Sequence, residues 1–173
     1  MSDLELRPLR AADVQAVLDL QSQCYEARFL ESAAAFEAKL RAAEPWHSCW
    51  MAWQGGVPLA YLVALPADLE SLPALDAPSV ELPAAPSLLY LHDLAVAPAG
   101  RSLGLGRRLV QQIERRAADL GLARLGLVAV QGSVPYWQRQ GFAARAALPA
   151  ALARKLSSFG AEARFMERAL RPV

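Results

Sequence analysis

Cysteine is scarce in this 173-residue chain: Cys24 and Cys49 are its only two, too few for a disulfide framework. His47, Cys49 and Cys24 do not make a recognised ligand spacing either, so no metal site is expected. Charge of one sign is missing as well. The formal net charge is +1, which removes any global electrostatic case for nucleic acid or an anionic membrane. Lysine is nearly absent, because sixteen of the eighteen basic residues are arginine. No apolar run approaches the ~20 residues of a spanning helix. The start, Met1-Ser2-Asp3-Leu4-Glu5-Leu6-Arg7, has no basic region followed by an apolar core. No secretory signal is therefore expected, and the cytoplasm is the expected location.

What is present is a globular composition, 54% apolar and 20% charged. A chain of this length buries roughly 70% of its unfolded surface, and residues 1–173 are expected to form one domain. Leu4–Pro8 alternates and predicts a first strand. Ala11–Tyr25 carries Val14, Val17, Leu18 and Cys24 near one stripe and predicts a helix. Ser32 caps a second predicted helix through Ala43, in which Phe36 and Leu40 stand four apart. Ser48–Gln54 and Val57–Leu65, joined by Gly55-Gly56, predict a hairpin. Pro66 to Pro86 has no clear period and predicts a long surface loop, either a functional lid or a decoration.

The stretch from Leu88 to Leu120 is the most informative. Leu88–Val96 predicts a strand and residues 104–120 a helix whose stripe is Leu105, Leu109, Ile113 and Ala117. Between them runs Arg101-Ser102-Leu103-Gly104-Leu105-Gly106. A glycine loop that opens a helix offers unpaired backbone N–H groups to an anion. Arg107 and Arg108 stand in the first turn, where the helix dipole disfavours cations unless a polyanion is bound. A phosphate-bearing cofactor is expected. The loop has no Gly-Lys-Ser/Thr of a nucleotide P-loop, and Leu109 stands where a dinucleotide fingerprint has its third glycine. Further on, Arg124–Val130, Phe142–Ala146 and Ala163–Leu170 predict strands. A short helix after Ser133 carries Tyr136 and Trp137, and Pro149–Leu156 is weakly helical.

Leu94-Ala95-Val96-x-Pro98-x-x-Arg101-x-x-Gly104-x-Gly106 resembles the acetyl-CoA motif of the GNAT acyltransferase superfamily. Val134-Pro135-Tyr136-Trp137-Gln138-Arg139-Gln140-Gly141-Phe142 resembles that superfamily's second hallmark, an aromatic pair before Gly-Phe. Leu91-His92-Asp93-Leu94-Ala95-Val96 is most similar to the arylalkylamine N-acetyltransferase branch. The resemblance implies a mixed α/β fold with a central, twisted, mostly antiparallel sheet of about seven strands flanked by helices. It implies acetyl-CoA as co-substrate, with backbone contacts to its pantetheine arm from Leu94, Ala95 and Val96. The amides of Arg101, Ser102, Leu103, Gly104, Leu105, Gly106 and Arg107 would hold its pyrophosphate. A backbone N–H near Val96 would stabilise the developing oxyanion.

The activity implied is acetyl transfer to a primary amine, with a small-molecule acceptor, as a monomer or homodimer. The alternatives are transfer to a protein lysine or N-terminus, or a catalytically weak CoA-binding domain. An alkylamine is mostly protonated at neutral pH, so a base is needed. His92 is the candidate: it lies on the cofactor strand, shares a face with Tyr90, and imidazole titrates near ~6.5. Two histidines stand at the positions of Tyr90 and His92 in the resembling branch, and only the second is kept. Asp93 is expected on the opposite face, bonded to backbone or an arginine. Trp137 occupies the place where the superfamily often has a tyrosine that protonates the departing thiolate, and indole N–H is no practical acid. Tyr136 and Tyr90 are the weaker candidates for that role, with the Tyr136 hydroxyl expected to point elsewhere. Trp46, Trp50, Trp53, Trp137, Phe29 and Phe36 either line an aromatic acceptor pocket or pack in the core.

Overall fold

The computed structural model describes residues 3–171. Seven strands form one sheet in the order β1-β2-β3-β4-β5-β7-β6. These are β1 (Leu4–Pro8), β2 (Cys49–Gln54), β3 (Val57–Ala67), β4 (Leu88–Val96), β5 (Arg124–Ala129), β6 (Ala143–Ala144) and β7 (Arg164–Ala169). Five α-helices flank them: α1 (Val14–Cys24), α2 (Ala33–Ala43), α3 (Leu105–Asp119), α4 (Val134–Arg139) and α5 (Ala150–Ser157). Every pairing is antiparallel except β4 with β5, where α3 forms the crossover that a parallel pair requires. This is the mixed, mostly antiparallel seven-stranded fold that the resemblance implies.

Local chemistry explains most boundaries. The Ser32 side chain accepts a hydrogen bond from the Ala35 N–H, a cap contributing about 1 kcal/mol to α2. The β2–β3 hairpin turns on Gly55 and Gly56, both at positive φ (58° and 78°), which a two-residue turn of this type needs. The predicted helix from Ala11 opens instead as a 3-10 turn over Ala11–Asp13. There Asp13 accepts from the Arg10 N–H and pairs with Arg7 at 2.8 Å, holding the chain in the tighter turn. Pro66 and Ala67, expected in the loop, extend β3. The predicted strand Phe142–Ala146 shrinks to the two residues of β6, because Phe142 turns into the core and is buried.

The sheet is covered on both faces. On one, the α3 stripe (Leu105, Leu109, Ile113, Ala117, with Val110) packs against Leu62, Ala64, Leu89, Leu91 and Leu127. On the other, Val14, Val17, Leu20, Phe36 and Leu40 from α1 and α2 pack against Met51, Tyr61, Val63 and Leu65. A smaller cluster joins Leu88, Tyr90, Leu152, Leu156 and Phe165.

β4 carries the irregularity that matters for function. Asp93 pairs with Val63 and Leu91 with Ala64, so His92 has no partner on β3 and forms a bulge. The bulge inverts the alternation. Leu89 and Leu91 face the α3 side, and beyond the bulge Leu94 and Val96 face it instead. Asp93 and Ala95 therefore share the α1/α2 side with His92, which corrects the expectation that Asp93 faces away. Pairing of β4 with β5 ends at Leu91–Leu127, immediately before the bulge. From there the two strands part, leaving one edge of β4 open.

Candidate active site

The opening between β4 and β5 is a cavity of about 700 Å³. At one end it is lined by Arg101, by Gly104 to Arg107 at the start of α3, and by Arg139. Its flank is β4 from Tyr90 to Val96, faced by Leu127, Val128 and Val130. Glu31 lies beside His92 and Asp93, and Phe29, Leu75 and Phe159 complete the apolar wall.

The glycine loop has the geometry of an anion cradle. Gly104 sits at φ +65°, a conformation costly for side-chain-bearing residues, and a Cβ there would meet only open space. The first intrahelical bond of α3 runs from the Arg108 N–H to the Gly104 carbonyl. The amides of Leu105, Gly106 and Arg107 precede it and have no carbonyl within the helix. A Cβ at Gly106 would overlap the Tyr136 hydroxyl, so the Tyr136 side chain lies against the helix start. Ser102 and Leu103 are exposed in the 3-10 turn Pro98–Leu103 and do not line the cavity.

Two carbonyls of β4 are already engaged from α1 and the residue after it. The Tyr25 hydroxyl donates to Leu94 O at 2.6 Å, and the Cys24 thiol donates to Val96 O at 3.3 Å. Each uses one of two carbonyl lone pairs, leaving the other for a bound molecule.

The groups that titrate meet at the bulge. His92 Nε2 lies 2.6 Å from Glu31 Oε1, and its ring meets Tyr90 edge-on at 5.8 Å. His92 Nδ1 is buried and has no hydrogen-bond partner. Glu31 Oε2 pairs with Lys39 Nζ at 2.6 Å. Burial pushes the Glu31 carboxyl upward, but His92 and Lys39 outweigh it and hold the group down at about 2. Asp93 Oδ2 accepts from the Tyr61 hydroxyl at 2.6 Å. Burial pushes the Asp93 carboxyl up to about 6, against the opposing pull of the Tyr61 bond and His92. Tyr90 is buried among these groups, and burial together with Glu31 and Asp93 keeps its phenol protonated.

Trp137 is buried in the α3-side core, between Tyr136 (ring centroids 5.0 Å) and Phe142 (5.4 Å). Of the aromatics considered for an acceptor pocket, Phe29 and Trp137 line the cavity; Phe36, Trp46, Trp50 and Trp53 do not. Phe36 meets Tyr61 edge-on inside the core, and Trp53 lies under the Arg7 guanidinium.

Glu31 and Lys39 are not legible in the sequence as site residues. The signal for Lys39 is its place between Phe36 and Leu40 on a helix stripe that is otherwise apolar. A buried lysine needs an acid, and Glu31 lies eight residues away across the α2 cap.

The chain belongs to the acetyltransferase (GNAT) family, whose sequence model matches residues 14–142. No curated protein matches the sequence. Among solved structures, the GphF GNAT-like decarboxylase in complex with isobutyryl-CoA superposes with a TM-score of 0.74 at 18% identity, over 96% of this chain and 100% of that one. The ribosomal-protein-S18-alanine N-acetyltransferase from Escherichia coli gives 0.63 at 17% identity, over 99% and 96%. A mutant agmatine N-acetyltransferase in its apo form gives 0.67 at 19%, over 97% and 100%. Identities this low establish a shared fold. Among the described residues no helix is long and apolar enough to cross a membrane.

Proposed function

We propose that this chain is an acetyl-CoA-dependent N-acetyltransferase acting on a small primary amine by direct transfer. One observation carries the reading: a single cavity joins a cradle of helix-start amides and arginines to a histidine held by a buried carboxylate. The open edge of β4 runs between the two ends. The amides from Gly104 to Arg107, with Arg101 and Arg107, would hold the pyrophosphate. Leu94, Ala95 and Val96 would hold the pantetheine arm along that edge. Bound acetyl-CoA supplies an acyl group already activated as a thioester.

His92 acts as the base that removes a proton from the acceptor amine. Asp93, on the same side through the bulge, gives this end of the cavity a carboxylate that attracts a cationic amine. Tyr136 belongs to the cradle, because its hydroxyl rests on the start of α3. The Trp137 indole gives no acid, and solvent suffices for a thiol with an ordinary pKa near ~8.5. The arylalkylamine resemblance of residues 91–96 and the apolar wall of Phe29, Leu75 and Phe159 favour an acceptor with an aryl or alkyl body. The reading places the protein in the cytoplasm, as a monomer or homodimer, with no metal, nucleic acid or membrane called upon.

The test is release of free thiol from acetyl-CoA across a panel of amines and N-terminal peptides. It is paired with thermal unfolding in acetyl-CoA at 100 times its Kd, where linkage adds about 2.7 kcal/mol and raises Tm by roughly 5–10 °C. Turnover on tryptamine-like or short alkylamines is expected. Turnover on peptides alone would replace the small-amine acceptor with a protein one. A thermal shift without any turnover would reduce the protein to a CoA-binding domain.

A further inference from the structure

The His92 end of the cavity contains more machinery than a lone base requires. Glu31 occupies the short link between the Ala27–Phe29 turn and α2, and its carboxylate is 1% exposed. Every polar atom of this residue is engaged. Oε1 meets His92 Nε2; Oε2 meets Lys39 Nζ and accepts the Asp76 backbone N–H at 2.7 Å. Its main chain is clamped by Gln21, whose amide donates to Glu31 O at 2.6 Å and accepts from the Glu31 N–H at 2.9 Å. Lys39 is wholly buried. Withdrawing two such ions from water costs several kcal/mol each, and an apolar pair of similar volume is often no less stable. Stability alone does not account for this pair.

The pair has a directional consequence. An ionised carboxylate only accepts hydrogen bonds, so the imidazole nitrogen facing it must carry the hydrogen. In neutral His92 that leaves Nδ1 as a bare lone pair, and Nδ1 is the atom that is buried without a partner. Buried polar atoms are rarely left unbonded, which marks Nδ1 as an acceptor whose donor arrives with a bound molecule.

We propose that Glu31 is the positioning residue of this site: it fixes His92 as the Nε2–H tautomer, so that Nδ1 takes the acceptor's proton, while Lys39 holds the other carboxylate oxygen of Glu31 in place. The proposal rests on His92 being the base. In the step an ammonium N–H bond of the acceptor breaks, the amine keeps the electron pair, and an Nδ1–H bond forms. The resulting imidazolium is balanced by Glu31 across the 2.6 Å contact. The charged and titratable groups around His92 are Glu31 and Lys39 from the α2 segment and Tyr90 and Asp93 from β4. Tyr61 and Tyr25 reach it through Asp93. Lys39 sits on the far side of Glu31.

Nitrogen-15 NMR of the histidine side chains in the intact protein tests this without turnover, since His47 is the only other histidine. His92 is expected to show a protonated Nε2 and an unprotonated Nδ1 at pH 8. In Glu31→Gln the amide can donate to Nε2 and release the other tautomer. Turnover should fall by roughly 10² or more, toward the ~10⁴ seen when a triad histidine loses its orienting carboxylate. KM for acetyl-CoA should stay unchanged, and His92 Nδ1 of the variant should become protonated in the same NMR experiment. Because Glu31→Gln strands Lys39, the double variant Glu31→Gln/Lys39→Met is measured beside it. It should keep the acetyl-CoA thermal shift and show the same loss of turnover. A protonated Nδ1 in the wild type, or unchanged kcat in a folded variant, would overturn the proposal. An inactive wild type would instead sink the acetyltransferase reading, with the tautomer still decided by its own resonances.

Discussion

Asp93→Asn is expected to stabilise the protein, and by an amount that depends on pH. The Asp93 carboxyl lies against Tyr61 and Tyr25 at the bulge, and burial raises it from 3.8 to about 6. The sign follows from that direction. An acid whose folded pKa is raised is penalised when ionised, so folding loses free energy as pH climbs from about 4 to about 6 and stays lower above it. At about 1.4 kcal/mol per pH unit the full penalty is about 3 kcal/mol at pH 8, with about 1 kcal/mol already present at pH 4.5. Asparagine removes the charge and keeps the acceptor for the Tyr61 hydroxyl, while its amide can donate to the Tyr25 oxygen. Any pH-independent cost of the new amide is common to both conditions. Urea unfolding of variant and wild type at pH 4.5 and pH 8 isolates the charge term. The difference between the two proteins should grow by about 2 kcal/mol in favour of the variant between these conditions. That corresponds to roughly 4–8 °C in Tm for a chain of this size. Because Asp93 borders the open cavity, this is an upper value. A difference that does not change with pH would show that the Asp93 carboxylate is solvated in the folded protein and would refute the reasoning.

Two further substitutions probe the cofactor end. Gly106→Ala places a methyl group on the Tyr136 hydroxyl and must displace that ring from the helix start. Stability should change by no more than about 1 kcal/mol, because alanine favours the helix. CoA affinity by titration calorimetry should weaken roughly tenfold, equivalent to about 1.4 kcal/mol; undiminished affinity would remove Tyr136 from the cradle. Trp137→Tyr leaves a gap between Tyr136 and Phe142 that should cost roughly 1–3 kcal/mol in chemical denaturation. It should not raise kcat, and a tenfold gain would show that protonation of the departing thiol limits the wild-type rate.

The sheet and the glycine loop can be read from the sequence because their signals are local. Leu88–Val96 is one largely apolar run, the α3 stripe repeats every three to four residues, and Gly55-Gly56 admits one kind of turn. β6 is overestimated because an aromatic beside alanines looks like a strand, whereas Phe142 is drawn into the core by Trp137. The bulge cannot be read at all. Period-two alternation assumes every residue is paired, and nothing in Leu91-His92-Asp93-Leu94 announces that His92 is the extra one. The error on Asp93 follows directly, since one unpaired residue reverses the face of everything after it. The Glu31–His92 contact spans 61 positions and depends on how α2 docks on the sheet. Only the buried lysine of α2 hints that an acid must lie nearby.

The long loop between β3 and β4 reaches the Glu31 carboxylate through main chain: it is bonded by the N–H of Asp76, not by the Asp76 side chain. Asp76 sits at φ +53°, and its carboxylate accepts the Ser32 N–H at the foot of α2. An N–H is supplied by any residue but proline, while a left-handed backbone is comfortable mainly for glycine, asparagine and aspartate. The fastening at Asp76 thus asks little of the side chains beside it and is strict about the shape of one residue. Residues on either side, Leu75 among them, are free to be exchanged against a new acceptor while the imidazole beneath keeps its orientation. A library that varies the loop and spares position 76 should change what the protein accepts before it changes how fast the proton leaves.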